Sequence, residues 1–261
     1  MMKALLAALS FLAVSAWAQP AIAPPQIGFM EDKAGSVRPV YGLAGNFLLG
    51  DPIATGVISA AFSGSFGWVK TDSTVVVMDA QGQAMATSDA PPGPALFAFT
   101  SDDKPALAFL VTSNTLLQWS GATLTPVPLD WGAIAADAVL SIAEPDPDHA
   151  AMLVQRKDGV WDVRVVLASG EADSQTALPT ATPPSCMLAN GDVVSSDDSG
   201  LVVYKADGSA IHIAAHLPDS FSLQQMGDRW LQLRDLTNAH EFAVTTSKDR
   251  EGFYTLPEVN R

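Results

Sequence analysis

The sequence predicts an all-β protein assembled from a repeated unit of four short antiparallel strands. Three observations predict it: short apolar runs alternate with polar turn clusters, the alternation returns about every 40 residues, and proline-rich stretches separate the groups. Residues 66–89 are typical, because FGWVKT, TVVVMD and AMATSD are separated there by DS and AQGQ. Runs of β-branched and aromatic residues bounded by Gly, Asp and Ser indicate strands joined by hairpins.

The positions of turn residues support this grouping. The predicted first strands begin near residues 57, 95, 138, 185 and 220, a mean spacing of about 41 residues. Within the groups, KDG (157–159) and NGD (190–192) are tight-turn sequences, because Gly and Asn adopt positive φ readily. Between the groups lie DAPPGP (89–94) and PTATPP (179–184), where no ladder hydrogen bond is needed.

The middle strands of the groups are apolar on both faces, as in TVVVM, ALAFLV and LVVY. A strand that lies between two neighbouring sheets has this composition, whereas a strand with one wet face alternates. Four antiparallel strands in about 40–45 residues form one blade of a β-propeller.

This repeating pattern of strands and turns resembles β-propeller repeats over almost the whole chain that follows the N-terminal signal. The resemblance is one of pattern, since neither a Trp-Asp signature nor a paired-glycine kelch motif ends the repeats. We therefore predict a β-propeller of five or six four-stranded antiparallel blades. A β-sandwich is the alternative architecture.

The N-terminus predicts export. A short basic start, an apolar run over 4–16 and the small-x-small sequence Ala16-Trp17-Ala18 are typical of a signal peptide, which we place at 1–18. The apolar run is shorter than the ~20 residues of a spanning helix. We therefore expect cleavage, no membrane span afterwards, and a periplasmic or secreted protein; a retained membrane anchor is the alternative.

The remaining residues, 19–261, are predicted to form a single β-propeller-like domain. A hairpin at about 27–43 is predicted to close the ring, because closure removes exposed sheet edges. The stretch VRPVYGLAGNFLLGD (37–51) resembles the opening of uncharacterised exported bacterial proteins, and that resemblance implies no activity.

Charge and cysteine content restrict the partners. The chain has 14 basic and 28 acidic residues, a net charge of −14, and its basic residues are scattered. Nucleic acid binding requires clustered Lys and Arg, so we expect no nucleic acid partner. Cys186 is the sole cysteine, which rules out an internal disulfide, and we expect it to be a small buried residue.

No catalytic or cofactor motif is present, since G-x-S-x-G, G-x-G-x-x-G and the P-loop pattern are all missing. His212 and His216 are four residues apart. On a strand they would lie about 13 Å apart, too far to share a zinc ion. Solvated hairpin carboxylates are the default interpretation of Asp146 and Asp148, and these two residues are the first place to look if a cation binds.

Tryptophans provide the remaining binding candidates. Trp68, Trp119, Trp161 and Trp230 fall in separate repeats, where they either pack between blades or form a platform for a glycan or peptide. We predict a non-enzymatic binding or scaffold module whose ring face or loop tips bind a protein, peptide or glycan. A propeller hydrolase or lyase with converging carboxylates and a structural envelope-assembly component are the alternatives.

Overall fold

The computed structural model describes residues 24–258 except 206, 228, 239, 248 and 249, so the predicted signal peptide lies outside the described residues. The described chain forms 23 strands and one single-turn helix, and the strands make six antiparallel sheets. Each sheet is a meander whose strands pair in sequence order. The fold is a six-bladed β-propeller.

The first three blades cover the N-terminal half. Blade 1 has three strands, β1 (Gln26–Glu31), β2 (Val37–Leu43) and β3 (Asn46–Leu49). Blade 2 contains β4 (Ser59–Phe62), β5 (Phe66–Lys70), β6 (Thr74–Asp79) and β7 (Ala84–Asp89). Blade 3 contains β8 (Ala95–Phe99), β9 (Pro105–Leu110), β10 (Thr115–Trp119) and β11 (Leu124–Val127).

The last three blades have four strands each. Blade 4 contains β12 (Ala138–Asp146), β13 (His149–Arg156), β14 (Gly159–Val166) and β15 (Ala172–Leu178). Blade 5 contains β16 (Cys186–Met187), β17 (Val193–Asp197), β18 (Gly200–Tyr204) and β19 (Ala210–Ala214). Blade 6 contains β20 (Phe221–Gly227), β21 (Trp230–Asp235), β22 (Glu241–Thr245) and β23 (Gly252–Thr255).

The ring is closed by six apolar clusters, one between each pair of neighbouring blades. Going round from blades 1 and 2, they are represented by Phe29 with Phe62, Trp68 with Phe99, Leu107 with Ile142, Leu153 with Met187, Val203 with Leu231, and Met226 with Met30. Both faces of the middle strands are buried, as in β9, because each sheet lies between two others. The predicted two-sided apolar strands follow from this packing.

The two ends of the ring carry different connections. In blades 2–6, one end holds the turns that join first to second and third to fourth strands, and we call it the turn face. The other end holds the turns between second and third strands and the crossings between blades, and we call it the crossover face. The first strands of these blades line the central channel.

The first strand of blade 1 runs in the opposite direction to the first strands of the other blades. Near the start of β1, Gly28 lies against Met226 and Gly227 at the end of β20. At the end of β1, the Glu31 amide donates to Gln232. Gln232 is paired with Gln224, which lies in the middle of β20. Thus β1 begins at the turn face and is antiparallel to β20. The three strands of blade 1 therefore run in the directions of the second, third and fourth strands of the other blades, and blade 1 has no innermost strand. On the channel side of blade 1, β4 and β20 are in direct contact.

The structure confirms the all-β propeller prediction and fixes the blade number at six. Residues 46–49 add a third strand to the hairpin predicted at about 27–43. His212 lies in β19, as predicted for a strand, while His216 follows that strand. The helix α1 (Trp131–Ile134) was not predicted; it forms because the Asp130 carboxylate accepts hydrogen bonds from the Gly132 and Ala133 amides.

Candidate functional site

Two recesses open on the turn face and meet at Arg229. The first recess has a volume of about 540 Å³ and lies between blades 1, 2 and 6. The second recess has a volume of about 370 Å³ and lies between blades 3, 5 and 6. Arg229 lines both, so the two recesses adjoin at this residue, and we call them together the turn-face cleft.

The first recess exists because blade 1 has no first-to-second-strand turn at this face. Its floor is the start of β1, residues 26–29, and its walls are the hairpin turns of blades 2 and 6. Trp230 forms one wall and is held edge-on against Phe47 at 5.8 Å between ring centroids and tilted against Tyr254 at 6.2 Å. The aromatic side chain is thereby fixed in place while part of it remains exposed.

Polar side chains make up most of the rest of this recess. Gln26 and Gln81 are exposed, and their side-chain amides form no hydrogen bond with any described residue. The Trp230 indole N–H is likewise not hydrogen-bonded within the described chain, unlike that of Trp68 or Trp161. These groups are therefore able to bind a polar ligand.

The second recess lies at the turn-face mouth of the channel and carries both signs of charge. Lys205 Nζ is 2.7 Å from Asp192 Oδ2, and Asn190 Nδ2 donates to the same carboxylate oxygen at 2.9 Å. Asp103 borders the recess from blade 3, and its carbonyl accepts a hydrogen bond from the Ser63 hydroxyl of blade 2 at 2.7 Å. Carboxylates thus balance the basic groups in this recess.

Arg229 and Asp103, which both line the second recess, have unusual backbone conformations. Their φ angles are 67° and 64°, in the left-handed region where Gly, Asn and Asp are most common, so Arg229 is the more unusual of the two. A bulky residue at such a position costs about 1–2 kcal/mol relative to its preferred conformation. Strained non-glycine residues cluster at binding sites more often than elsewhere, which makes the Arg229 turn a functional candidate.

The central channel contains a third cavity, of about 250 Å³, near the crossover face. All six blades contribute to its wall, and its polar residues include Glu31, Ser141, Gln224 and Arg234. Cys186 also lines it and is only 8% exposed. This cavity is smaller than either recess of the turn face.

A buried polar network borders the channel and joins blade 1 to blade 6. We call Glu31, Gln232, Arg234 and Glu241 the closure network. Arg234 Nε donates to Glu241 Oε1 at 2.9 Å, and its Nη1 donates to Glu31 Oε1 at 3.3 Å. Gln232 Nε2 donates to the Glu31 carbonyl at 2.8 Å and to Glu241 Oε2 at 2.7 Å, while Gln232 Oε1 accepts from the Glu31 amide at 3.1 Å.

Burial has the largest single effect on the pKa of each ionisable group in this network. It raises the pKa of Glu31, with Glu241 and Asp32 raising it further, although Arg234 opposes the shift. Burial raises the pKa of Glu241 against the same guanidinium. Burial alone would lower the pKa of Arg234, but the two carboxylates outweigh it and raise that pKa, so the cation is retained between them.

The structure separates the four tryptophans proposed as binding residues. Trp68 is fully buried between blades 2 and 3, where its indole N–H donates to the Ala98 carbonyl and its ring stacks on Phe97. Trp119 lies edge-on to Trp68. Trp161 lies under the Arg156 guanidinium at 4.8 Å on blade 4. Trp230 is the member of the four that lines a turn-face recess.

The acidic and histidine candidates lie in separate hairpins. Asp146 Oδ1 accepts hydrogen bonds from the Asp148 amide at 3.0 Å and from His149 Nδ1 at 2.8 Å. The His149 hydrogen bond contributes most to lowering the pKa of Asp146. His212 Nδ1 is 3.4 Å from an Asp197 carboxylate oxygen. In the described parts of the chain, no three His, Cys, Asp or Glu side chains are grouped closely enough to hold a metal ion.

Sequence comparisons give no family, and structural comparisons give the fold. No family model matches the sequence, and no curated protein matches it. A protein of unknown function from Bacteroides caccae is similar in structure, with a TM-score of 0.54 and 12% identity over 90% of this chain and 100% of that chain. At this identity the similarity shows the fold alone.

Two further solved structures are more distant. Kuenenia stuttgartiensis hydrazine synthase has a TM-score of 0.48 at 10% identity, over 90% of this chain and 80% of that chain. The Neurospora crassa Pan2 WD40 domain has a TM-score of 0.44 at 8% identity, with the same coverage. The helix of the described chain has one turn, and no helix there has the length and apolar character to cross a membrane.

Proposed function

We propose that this protein is a non-enzymatic binding module that holds its ligand in the turn-face cleft. The observation that carries the proposal is the pair of recesses that adjoin at Arg229 on the turn face. Ligand sites are concave and combine aromatic or apolar side chains with polar groups that fix the orientation of the ligand. The first recess, with Trp230 fixed by Phe47 and Tyr254, has this form.

The central channel supports binding less well. Its most polar residues, Glu31 and Arg234, are already committed to hydrogen bonds that join blade 1 to blade 6. A ligand at Arg234 would have to replace two carboxylates that are held within the protein. The turn face carries no such cost at Gln26, Gln81 or Trp230.

Hydrogen–deuterium exchange with ligands found by screening tests whether the ligand binds at the turn face. The chain would be screened by thermal shift against oligosaccharides and a pool of short peptides, and each hit examined by hydrogen–deuterium exchange. We expect protection at the turn-face hairpins, residues 62–66, 79–84 and 188–193, and not at the crossover-face turns such as 156–159. Hits that protect only the crossover face or the channel strands would contradict the proposal.

Catalysis in the channel is the second candidate function, and Glu31 is the observation that favours it. Its carboxyl lines the channel cavity and has a raised pKa, which is the property of many general acids. Its partner Glu241 is bound to the same guanidinium and is not among the residues of the cavity wall. Hydrolysis of glycans or peptides that is lost in Glu31→Gln would favour this function over the binding module.

Export to the periplasm or the medium is part of the same proposal and has its own test. The protein would be expressed with its full N-terminus in a Gram-negative host, and the species in each compartment would be weighed by mass spectrometry. We expect the periplasmic or secreted species to begin at Gln19. A full-length species that stays with the membrane would instead indicate a retained anchor.

A further inference from the structure

We infer that the first recess binds a neutral, hydroxyl-rich ligand, namely a saccharide unit of a glycan. The inference rests on the proposed function, because it names the ligand class of the turn-face cleft. The first recess has a volume of about 540 Å³, which falls within the ~300–1,000 Å³ range of small-molecule sites. The class follows from the three kinds of group in the recess wall: an aromatic side chain, uncommitted amides and hydroxyls.

The aromatic side chain provides an apolar surface beside polar groups. Trp230 is half-buried, and its contacts with Phe47 and Tyr254 restrict its rotation. A sugar ring has a face of C–H groups and a rim of hydroxyls. Such a ligand matches a wall that is apolar at one aromatic side chain and polar around it.

The polar groups around Trp230 suit hydroxyls better than charged groups. The amides of Gln26 and Gln81 each offer a donor and an acceptor, and neither is bound to a described residue. Hydroxyls both donate and accept, so they satisfy both atoms of an amide. Ser247 adds a further hydroxyl at the edge of the recess.

The charge of the recess argues for a neutral ligand. Arg229 is the charged side chain of its described wall, and it already interacts within the protein. Arg229 also borders the second recess, where Asp103 and Asp192 lie. With these carboxylates nearby and a net charge of −14, the protein attracts an anionic sugar only weakly.

Calorimetry with matched variants tests the ligand class. The full chain would be titrated with neutral hexasaccharides of glucose, mannose, xylose and N-acetylglucosamine, with a hexamer of galacturonic acid, and with the peptide pool. We expect binding of at least one neutral hexasaccharide. Trp230→Leu should weaken it about tenfold, and Gln81→Ala about threefold.

Trp161→Leu is the matched control, because Trp161 is also half-buried but lies on blade 4 beside the crossover-face turn at Asp158. It should leave the affinity unchanged. Gln81→Ala keeps the test valid if Trp230→Leu fails to fold, since Gln81 is exposed and its side chain forms no hydrogen bond to a described residue, while its backbone amide donates to the Asp79 carboxylate in either variant. Affinity that is unchanged in both recess variants overturns the inference.

The remaining outcomes separate the inference from the proposed function. Binding of the peptide pool alone, with turn-face protection, overturns the saccharide inference and leaves the binding module standing. Binding of the galacturonic acid hexamer alone, lost in Arg229→Ala, overturns the neutral ligand class in the same way. No turn-face protection by any of these probes overturns both.

Discussion

Arg234 is a side chain that joins the first and last blades directly. It donates to Glu241 within blade 6 and to both the side chain and the carbonyl of Glu31 in blade 1. The sequence could not reveal this contact, because Glu31 and Arg234 are 203 positions apart and neither belongs to a motif. A lone Glu and a lone Arg read as ordinary surface residues until the ring is closed.

Replacing Arg234 by Met should destabilise the protein more at pH 7 than at pH 5. Without the cation two buried carboxylates face each other, and breaking a buried pair costs about 3–5 kcal/mol. The pKa values of Glu31 and Glu241 are raised in the folded state and rise further in the variant. A raised carboxyl pKa favours folding at low pH, and that stability is lost as pH rises through the folded pKa.

Urea unfolding of wild type and Arg234→Met at both pH values measures the difference. The control is Arg234→Met combined with Glu31→Gln and Glu241→Gln, which removes the titrating groups and should show no such pH dependence. An equal loss at pH 5 and pH 7 would show that the destabilisation comes from lost packing and not from uncompensated charge.

Cys186 should be a poorly reactive thiol although it lines the channel. It is 8% exposed, and burial raises its pKa to about 11 despite a hydrogen bond from Ser141. The reactive thiolate is then about a thousandth of the population at pH 8. We expect alkylation by iodoacetamide to be slow in the folded protein and to speed up at least a hundredfold in 6 M guanidinium. Rapid labelling of the folded protein would contradict the buried position.

At the scale of elements, strands and turns were predictable from sequence because their signals are local. The predicted group starts at 95 and 138 coincide with β8 and β12, and those at 57, 185 and 220 fall within two residues of β4, β16 and β20. Apolar runs and turn residues decide these boundaries within a few positions. The single turn α1 has neither the length nor the periodicity of a detectable helix.

The direction of β1 relative to β20 was not predictable, because it depends on contacts between the two ends of the chain. The β1 strand approaches β20 so closely that a Cβ at Gly28 would lie 1.8 Å from the Met226 carbonyl oxygen. Glycine is therefore required at this position by the neighbouring backbone. In the sequence it is one glycine among 19.

Gly28→Ala should consequently weaken the junction between blades 1 and 6. The new methyl group meets backbone that cannot rotate away, and overpacking of this kind costs about 3 kcal/mol. Gly56→Ala is the control, since Gly56 also has positive φ, at 68°, but its Cβ would meet nothing within 4 Å. That control should lose about 1–2 kcal/mol from backbone strain alone. Thermal unfolding that ranks the two variants equally, or in reverse, would contradict the close approach of β1 and β20.

At the scale of the whole molecule, closure determines both the fold and the candidate site. The turn-face cleft is formed by hairpins of blades 2, 3, 5 and 6 together with the start of β1, and the first recess exists because blade 1 lacks an innermost strand. The sequence could nominate Trp230 as a residue type suited to binding. It could not nominate Arg229, Gln26 or Gln81, because only the ring brings these residues to one face.

Blade 1 should be needed for the ring to fold cooperatively. Its removal exposes apolar side chains on both neighbours, including Phe62 and Met78 of blade 2 and Met226 and Ala243 of blade 6. Burial of such surface contributes about 25 cal/mol per Å², whereas whole domains are stable by only about 5–15 kcal/mol. A chain that begins at residue 58 should therefore bind hydrophobic dyes, aggregate and show no sharp thermal transition.

A chain that begins at residue 24 is the control for this truncation, because it keeps every described strand. It should retain the melting temperature of the full chain and elute as one species in size-exclusion chromatography. Cooperative folding of the chain that begins at residue 58 would contradict the prediction. Since β4 and β20 already touch, a monomer of residues 58–261 with a sharp transition would show that five blades close by themselves. Blade 1 would then be an addition that creates the first recess without holding the ring together.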